Sequence, residues 1–507
     1  MKKILIYIII GAVSAGSCKK EFLDLAPQTS LSAVTFFQNE SQFNQALIGV
    51  YETLRGIVIP GAYMDEMRSD NTFFTYYAPD RGPANWVEDI ILFRDNPQTT
   101  ITNNRYRSDY VGISRANAIV DRIAAADFAE TAKDRILGEA LFLRAFFYLD
   151  LVQHYGGVPL HLKDVTSVSD AFLPRSSDEE VYAQIITDLT EATSRLPVAV
   201  SFPQSGRVSK GAGKMLLAYT LMSKPARDYP KAEAELRDIA NMNYQLLEDY
   251  AEVFNPLNKN HSESIFDIQY QEGNNGQQSD FLYAFLPKTT NATALTGLPV
   301  NTLLRGGWNV PTQELVDSYE TGDKRLPASI AVIEGVQAGD NFTYETEKNV
   351  VGYTPAPGKA YHYFIKKYLH PPYQREFNTN DNWPVFRYSG ALLLLAECLV
   401  EQGKGNEALP YINEVRGRAG LNDLTEATAE SVANEMRHEL AFENHRYTDL
   451  IRTGKAIEVL TAHGIDMMNR YSFIPPNSFN VTTERLVYPI PFRELQLNKQ
   501  LIQNAGY

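Results

Sequence analysis

The sequence predicts a mainly α-helical protein, built as a scaffold of helical hairpins with a large, irregular, loop-rich insertion that carries a few short strands. Two segments, 216–221 and 394–399, share the pattern Leu-Leu-Ala-x-x-Leu, and each precedes a short turn and a second helix. Between them, residues 245–385 are rich in Asn, Gly, Gln, Thr, Pro and Tyr and contain only short apolar runs. A long irregular segment inside a helical scaffold is typical of a functional region.

The paired segments are similar to the tetratricopeptide pattern of about 34 residues, which forms one helical hairpin per repeat. Residues 143–149 look like a degenerate third copy. Stacks of such hairpins form scaffolds with extended binding surfaces. We therefore predict a helical scaffold over 41–244, an irregular ligand-binding region over 245–385, and a C-terminal helical scaffold with an extended tail over 386–507.

The N-terminus has the layout of a secretory signal over residues 1–17. Lys2 and Lys3 precede an apolar run that is too short to span a bilayer, and small residues lead directly to Cys18. A small-residue tripeptide before a cysteine resembles a bacterial lipobox, which predicts cleavage before Cys18 and lipidation of that residue. The alternative is an ordinary secretory signal with a chance cysteine. Residues 18–40 are then the lipidated tether.

Composition restricts the class of protein further. The formal net charge of −14 disfavours nucleic acid as a partner and electrostatic binding to anionic membranes. Only one other cysteine, Cys398, is present, and it lies in a leucine-rich run, so no intramolecular disulfide is expected between structural cysteines. The 29 tyrosines favour surfaces that bind through rings with polar tips.

The first scaffold segment shows helical periodicity from near Ser41, loses it over residues 57–104, and regains it over about 105–125 and 131–155. We interpret 57–104 as loops that contribute to binding. The last of these helices should end at Gly156, which is followed by Gly157 and Pro159. Ser177, with acidic residues after it, should cap the next helix.

Several sequence blocks, in order along the chain, carry a resemblance to a known family: 18–24, 144–160, 209–212, 314–325, 386–388, 415–420, 439–450, 488–491 and 503–507. Together they resemble the SusD/RagB family of outer-membrane nutrient-binding lipoproteins, and the match covers essentially the whole chain. Asn444 and Tyr447 depart mildly from the family pattern. The resemblance implies a TonB-dependent, SusC-like barrel partner over which the protein acts as a lid, and a glycan ligand more often than a peptide.

Three patterns could indicate catalysis or a cofactor. Glu439 and Glu443 lie one helical turn apart, which could suggest a glycosidase, but a salt-bridge network is the favoured interpretation. His438-Glu439 lacks the second histidine of a zinc protease, because Phe442 stands there. Residues 206–214 fail the spacing of a phosphate-binding loop. We predict no catalytic residue, no metal and no cofactor.

The candidate ligand contacts are aromatic residues in irregular, polar segments. Trp86 and Trp308 are the leading candidates, with Tyr283, Asp70 and Tyr76 as companions. Sugars present C–H faces that stack on rings and hydroxyls that need polar partners. Each tryptophan could instead hold its loop onto the core, and the sequence leaves both possibilities open. The structural role is favoured for the third tryptophan, at position 383, and tyrosines 353 and 361 are the reserve candidates.

The predicted function is that of a lipid-anchored, surface-exposed outer-membrane protein that binds an oligosaccharide or polysaccharide and delivers it to the SusC-like barrel. The same architecture could handle peptides instead. A surface glycoside hydrolase has little support beyond the abundant acidic residues, and we predict a protein that is not an enzyme.

Overall fold

The computed structural model describes residues 36–79, 84–199 and 201–507; the predicted lipidation site Cys18 lies outside them. The helices, numbered in chain order, are α1 Glu40–Thr53, α2 Arg55–Gly61, α3 Ala84–Ile91, α4 Thr100–Ile123, α5 Glu130–Tyr155, α6 Val168–Ala171, α7 Asp178–Arg195, α8 Lys210–Ser223, α9 Tyr229–Ala240, α10 Leu282–Phe285, α11 Thr293–Thr296, α12 Gln313–Ser318, α13 Arg325–Ser329, α14 Tyr388–Glu401, α15 Gly405–Ala419, α16 Ala429–Glu439, α17 Arg446–Arg452, α18 Ala456–Arg470 and α19 Phe492–Leu497. The strands are β1 Thr72–Phe73, β2 Ser264–Ile268, β3 Val310–Pro311, β4 Ile330–Ala338, β5 Asn341–Asn349, β6 Ala360–Ile365 and β7 Trp383–Arg387.

The predicted helical scaffold is confirmed. Consecutive long helices pack on one another in the order α4, α5, α7, α8, α9, α14 and α15, so that one array runs through both halves of the chain. The two predicted hairpins are α8 with α9 and α14 with α15. The insertion lies between α9 and α14, and the array continues across it because these two helices pack directly together.

Local sequence signals fix the helix ends. The Ser177 hydroxyl accepts a hydrogen bond from the Glu180 amide, and the Glu180 carboxylate accepts one from the Ser177 amide at 2.8 Å. This capping box satisfies two amides that the first turn of α7 would leave unpaired. Helix α5 ends at Tyr155 and is followed by the capping residue Gly156, whose φ of +69° suits glycine. Both predicted boundaries are confirmed.

The segment 57–104 corrects the prediction of loops. It contains α2, a π-helical turn over Ala62–Glu66, and α3 before α4 begins. Ile57, Val58 and Met64 are buried there. The π-helical turn breaks the regular spacing of apolar residues, so helical periodicity could not reveal this segment.

The few strands predicted for the insertion are present. Strands β4, β5 and β6 form an antiparallel sheet in the order β5–β4–β6. The first half of β4 is buried on both faces and therefore lacks the alternation that identifies a strand in sequence. Strands β2 and β7 pair antiparallel, which brings the two ends of 269–382 together at the scaffold.

A buried ion-pair cluster joins the insertion to the scaffold. Arg387, at the end of β7, donates to Glu263 at 2.7 Å, to Glu439 at 2.9 Å and to Glu443 at 2.8 Å. Lys367, after β6, donates to Glu443 at 2.8 Å. The favoured interpretation of Glu439 and Glu443 as members of a salt-bridge network is confirmed.

Among the residues that the structure describes, no helix is both long enough and apolar enough to cross a bilayer.

Candidate functional site

A cleft of about 260 Å³ opens where α3 and the π-helical turn of the scaffold face the insertion. Ala84, Val87 and Tyr63 line its scaffold side. The insertion side is formed by residues of α10, the loop that ends in Trp308, and the loop before β7 that contains Phe377. The cleft therefore combines residues more than 200 positions apart in the chain.

Aromatic rings make up much of the cleft wall. The Tyr283 and Phe377 ring centroids are 4.1 Å apart, and the Arg305 guanidinium lies 4.3 Å above the centroid of Phe377. Trp308 meets Tyr63 edge to face at 6.2 Å. Rings packed against one another in this way are held in fixed positions, which lowers the entropic cost of binding to them.

A glycine pair places Trp308 in this wall. A Cβ on Gly306 would lie 2.7 Å from the carbonyl oxygen of Pro287, and Gly307 has a φ of +80°. The Gly307 amide donates to the Leu286 carbonyl at 2.7 Å. This close approach requires glycine, because a larger residue would displace the loop from α10 and move the indole with it.

Charged and polar groups accompany the rings. Asp280 and Arg305 line the cleft and are both exposed. Tyr283 is buried, and its hydroxyl has no hydrogen-bond partner among residues 36–79, 84–199 and 201–507. Burial raises the pKa of Tyr63, with Asp280 adding to that shift and Arg305 opposing it. The cleft thus offers an exposed donor and an exposed acceptor beside apolar ring faces.

The predicted ligand contacts divide between several places. Trp308 and Tyr283 come together in the cleft. Trp86 lies on α3 between the lining residues Ala84 and Val87, and it is 52 % exposed but does not itself line the cleft. Tyr76 lies outside the lining, with its ring stacked on Phe473.

Asp70 requires a correction. It is buried, and its carboxylate oxygens accept from Arg446 at 2.8 and 2.9 Å, while Arg437 approaches at 2.9 Å. Although burial opposes ionisation, these two arginines hold the pKa of Asp70 well below its ordinary value. The carboxylate is therefore occupied within the protein, and we remove Asp70 from the candidate site. Trp383 is buried against Phe281, as its favoured structural role requires.

Sequence reasoning missed Tyr63, Phe377, Asp280 and Arg305. The first three carry no local signal, because only tertiary folding brings them together. Arg305 immediately precedes the Gly306-Gly307 pair, so it could have been selected together with Trp308. In the part of the chain that the structure describes, no group of three or more His, Cys, Asp or Glu side chains is placed to hold a metal ion.

Comparisons of sequence extend these observations. A sequence model described as the SusD family matches residues 262–507, and one described as "Starch-binding associating with outer membrane" matches 21–222. A SusD-like protein of Formosa agariphila is 27% identical over 100% of this chain and 99% of its own. The starch-binding protein SusD of Bacteroides thetaiotaomicron is 24% identical over 78% of this chain and 76% of its own.

Comparisons of structure agree with those of sequence. A laminarin-binding SusD-like protein superposes with a TM-score of 0.74 at 26% identity, covering 93% of this chain and 100% of that one. Surface glycan-binding protein A of Bacteroides thetaiotaomicron superposes with a TM-score of 0.76 at 24% identity, over 93% and 100% of the two chains. At 24% identity, the comparison with surface glycan-binding protein A shows a shared fold and nothing further.

Proposed function

Because the chain belongs to the SusD family, we propose that it binds an oligosaccharide or polysaccharide in the cleft between α3 and the insertion. The observation that carries this proposal is the packed ring pair of Tyr283 and Phe377 beside Trp308, with Asp280 and Arg305 at the same cleft. Rings suit the C–H faces of a sugar, and the charged groups suit its hydroxyls. The laminarin-binding and starch-binding relatives support a glycan over a peptide.

The proposal includes the place of the protein in the cell. We propose a lipid on Cys18 that attaches the chain to the outer membrane at the cell surface, and a SusC-like, TonB-dependent barrel that receives the glycan. The description of the matching family as associating with the outer membrane supports the location. Several acyl chains on one cysteine anchor firmly, at roughly 0.8 kcal/mol per buried methylene group.

We propose binding without hydrolysis. The relatives are named as binding proteins. The pair of carboxylates that could have suggested a glycosidase, Glu439 and Glu443, is buried and ion-paired with Arg387. A hydrolase needs two carboxyl groups that flank an accessible glycosidic bond, and these two are enclosed by the ion-pair cluster.

Affinity electrophoresis and calorimetric titration with the mature protein test the proposal. The panel contains laminarin, starch, xylan, mannan and a mixture of casein peptides. We expect binding to at least one polysaccharide without release of reducing sugar. Arg305→Gln, at an exposed position, should weaken that binding about tenfold, while Arg493→Gln, an exposed arginine on α19, serves as the matched control and should leave it unchanged.

If the protein binds only the casein peptides, its ligand is a peptide and not a glycan. If it binds nothing in the panel, the proposal is refuted. Equal affinities for wild type and Arg305→Gln would place the ligand outside the cleft. Purification from native membranes in mild detergent tests the partner, and we expect a large barrel protein to accompany the chain. Recovery of the chain alone would contradict that part of the proposal.

A further inference from the structure

A second group of aromatic residues is exposed outside the cleft. We call Tyr76, Tyr361, Tyr471 and Phe473 the tyrosine patch. The three tyrosines are 36 %, 37 % and 39 % exposed, and Phe473 is half-buried. They come from the loop after β1, from β6 and from the segment after α18. Strand β6 packs against β3, which pairs with β1, so these elements are neighbours in the fold.

Buried or partly buried rings support the exposed ones from behind. Tyr471 lies almost parallel to Phe73, with centroids 5.3 Å apart and 7° between the planes. Tyr76 stacks on Phe473 at 4.3 Å, and Phe473 contacts Tyr471 at 5.4 Å. The rings of Tyr471 and Tyr76 therefore rest against the protein and remain partly exposed. Such rings are preorganised platforms for stacking.

Charged groups surround these platforms. Arg470 forms an ion pair with Asp466 at 2.7 Å beside Tyr471. Burial raises the pKa of the Tyr471 hydroxyl; Arg470 opposes this shift, whereas Asp466 and Tyr361 add to it. The Asp466 carboxylate and the Arg470 guanidinium next to exposed rings provide an acceptor and a donor for sugar hydroxyls.

The tyrosine patch and the cleft share no lining residue, yet both rest on Phe74. The Phe74 ring lies 6.0 Å from Trp308, behind the cleft, and 5.7 Å from Phe473, within the patch. The two surfaces are therefore neighbours on one rigid aromatic support. One long ligand chain could contact both, whereas a short one would fill the cleft alone.

We propose that the tyrosine patch is a second contact surface for the polysaccharide that the cleft binds, and that it is used by long chains. This inference rests on the proposed function. Binding at the cleft makes contact with the patch intramolecular, so even a weak second contact raises the affinity for polymer without changing that for a short oligosaccharide.

The test compares a polymer with its hexasaccharide, starting with laminarin and laminarihexaose, and uses the same pairing for every polysaccharide that wild type binds. Tyr471→Ala and Tyr361→Ala should each weaken polymer binding about tenfold and leave hexasaccharide binding within about twofold. Tyr471→Phe keeps the ring and should retain polymer binding. Phe492→Ala, a control that removes a 43 % exposed ring on α19, should change neither.

Thermal unfolding of each variant shows that it is folded, and Tyr361 and Tyr471 lie on different elements, so one variant replaces the other if either fails to fold. Suppose that wild type binds both polymer and hexasaccharide. If the alanine variants then lose affinity for both equally, or for neither, the inference is overturned and the proposed function stands. A wild type that binds no polysaccharide would overturn both.

Discussion

Glu439 provides the sharpest test of the ion-pair cluster that joins the insertion to the scaffold. Its side chain is fully buried and accepts from Arg387 at 2.9 Å, from Arg418 at 2.5 Å and from Arg325 at 3.3 Å. Burial alone would raise the pKa of this carboxyl, but the three arginines outweigh it and hold the pKa well below its ordinary value. We expect Glu439→Gln to destabilise the protein strongly.

The magnitude follows from the loss of one partner in a buried network. Glutamine keeps the shape but leaves arginine charge uncompensated, which costs about 3–5 kcal/mol. An unfolding entropy of roughly 2.1 cal/mol/K per residue gives about 1 kcal/mol/K for a chain of this length, so the Tm should fall by about 3–5 °C.

The pH dependence has a definite sign. Because the folded-state pKa of Glu439 is depressed, its contribution to the free energy of unfolding is fully present above the unfolded-state pKa of about 4.3 and is lost as the pH falls through the folded-state pKa. The difference between wild type and Glu439→Gln should therefore be constant near neutral pH and narrow below about pH 4.

Differential scanning calorimetry and urea unfolding over that pH range measure both effects. Glu458→Gln is the matched control, since Glu458 forms only an exposed pair with Lys455 at 3.1 Å. The control should change the free energy of unfolding by less than about 0.5 kcal/mol. If Glu439→Gln is as stable as the control, or if its difference from wild type is the same at every pH, the cluster does not stabilise the fold as argued.

Three further outcomes are expected. Trp86→Ala should leave the Tm nearly unchanged because the Trp86 side chain is 52 % exposed. Trp308 is only 8 % exposed, so Trp308→Ala should lower the free energy of unfolding by about 3–5 kcal/mol. Equal Tm values for the two variants would contradict this. Burial and the neighbouring Asp150 raise the pKa of Asp109, so this carboxyl destabilises the folded state increasingly as the pH rises above its unfolded-state pKa of about 3.9. Asp109→Asn should therefore raise the Tm at pH 7 but not at pH 4. A lower Tm at pH 7 would refute this assignment. Cys18→Ala should release the protein from the outer-membrane fraction in cells without the barrel partner, and continued recovery with the membrane would argue against lipidation.

The scaffold could be predicted from sequence because its signals are local. The capping box at Ser177 and the glycine stop at Gly156 act within a few residues, and the leucine-rich helices repeat every three or four positions. The sheet of β4, β5 and β6 could be predicted only as a few short strands, because the buried apolar residues on both faces of β4 resemble any core segment.

The candidate site could be predicted only in part. Trp308 and Tyr283 were found because aromatic residues in polar segments are unusual, and the glycine pair before Trp308 added a local signal. Tyr63 and Phe377 had neither property and reach the cleft through long-range packing. Asp70 was misplaced for the same reason, since its partners Arg437 and Arg446 lie far away in sequence.

The pairing of β2 with β7 has a consequence for how such proteins diversify. Residues 269–382 leave the helical array and return to it through neighbouring antiparallel strands, and Arg325 and Lys367 within them pair with Glu439 and Glu443 of the scaffold. A replacement segment therefore has to keep those two ends and those two ion pairs. A graft of that segment from a relative would exchange the walls contributed by α10, the Trp308 loop and the Phe377 loop, while Tyr63 and α3 stayed in place. The graft would replace the ligand contacts on the insertion side and keep those on the scaffold side. Only a relative whose ligand also fits Tyr63 and α3 could therefore supply a segment that gives a hybrid protein able to bind.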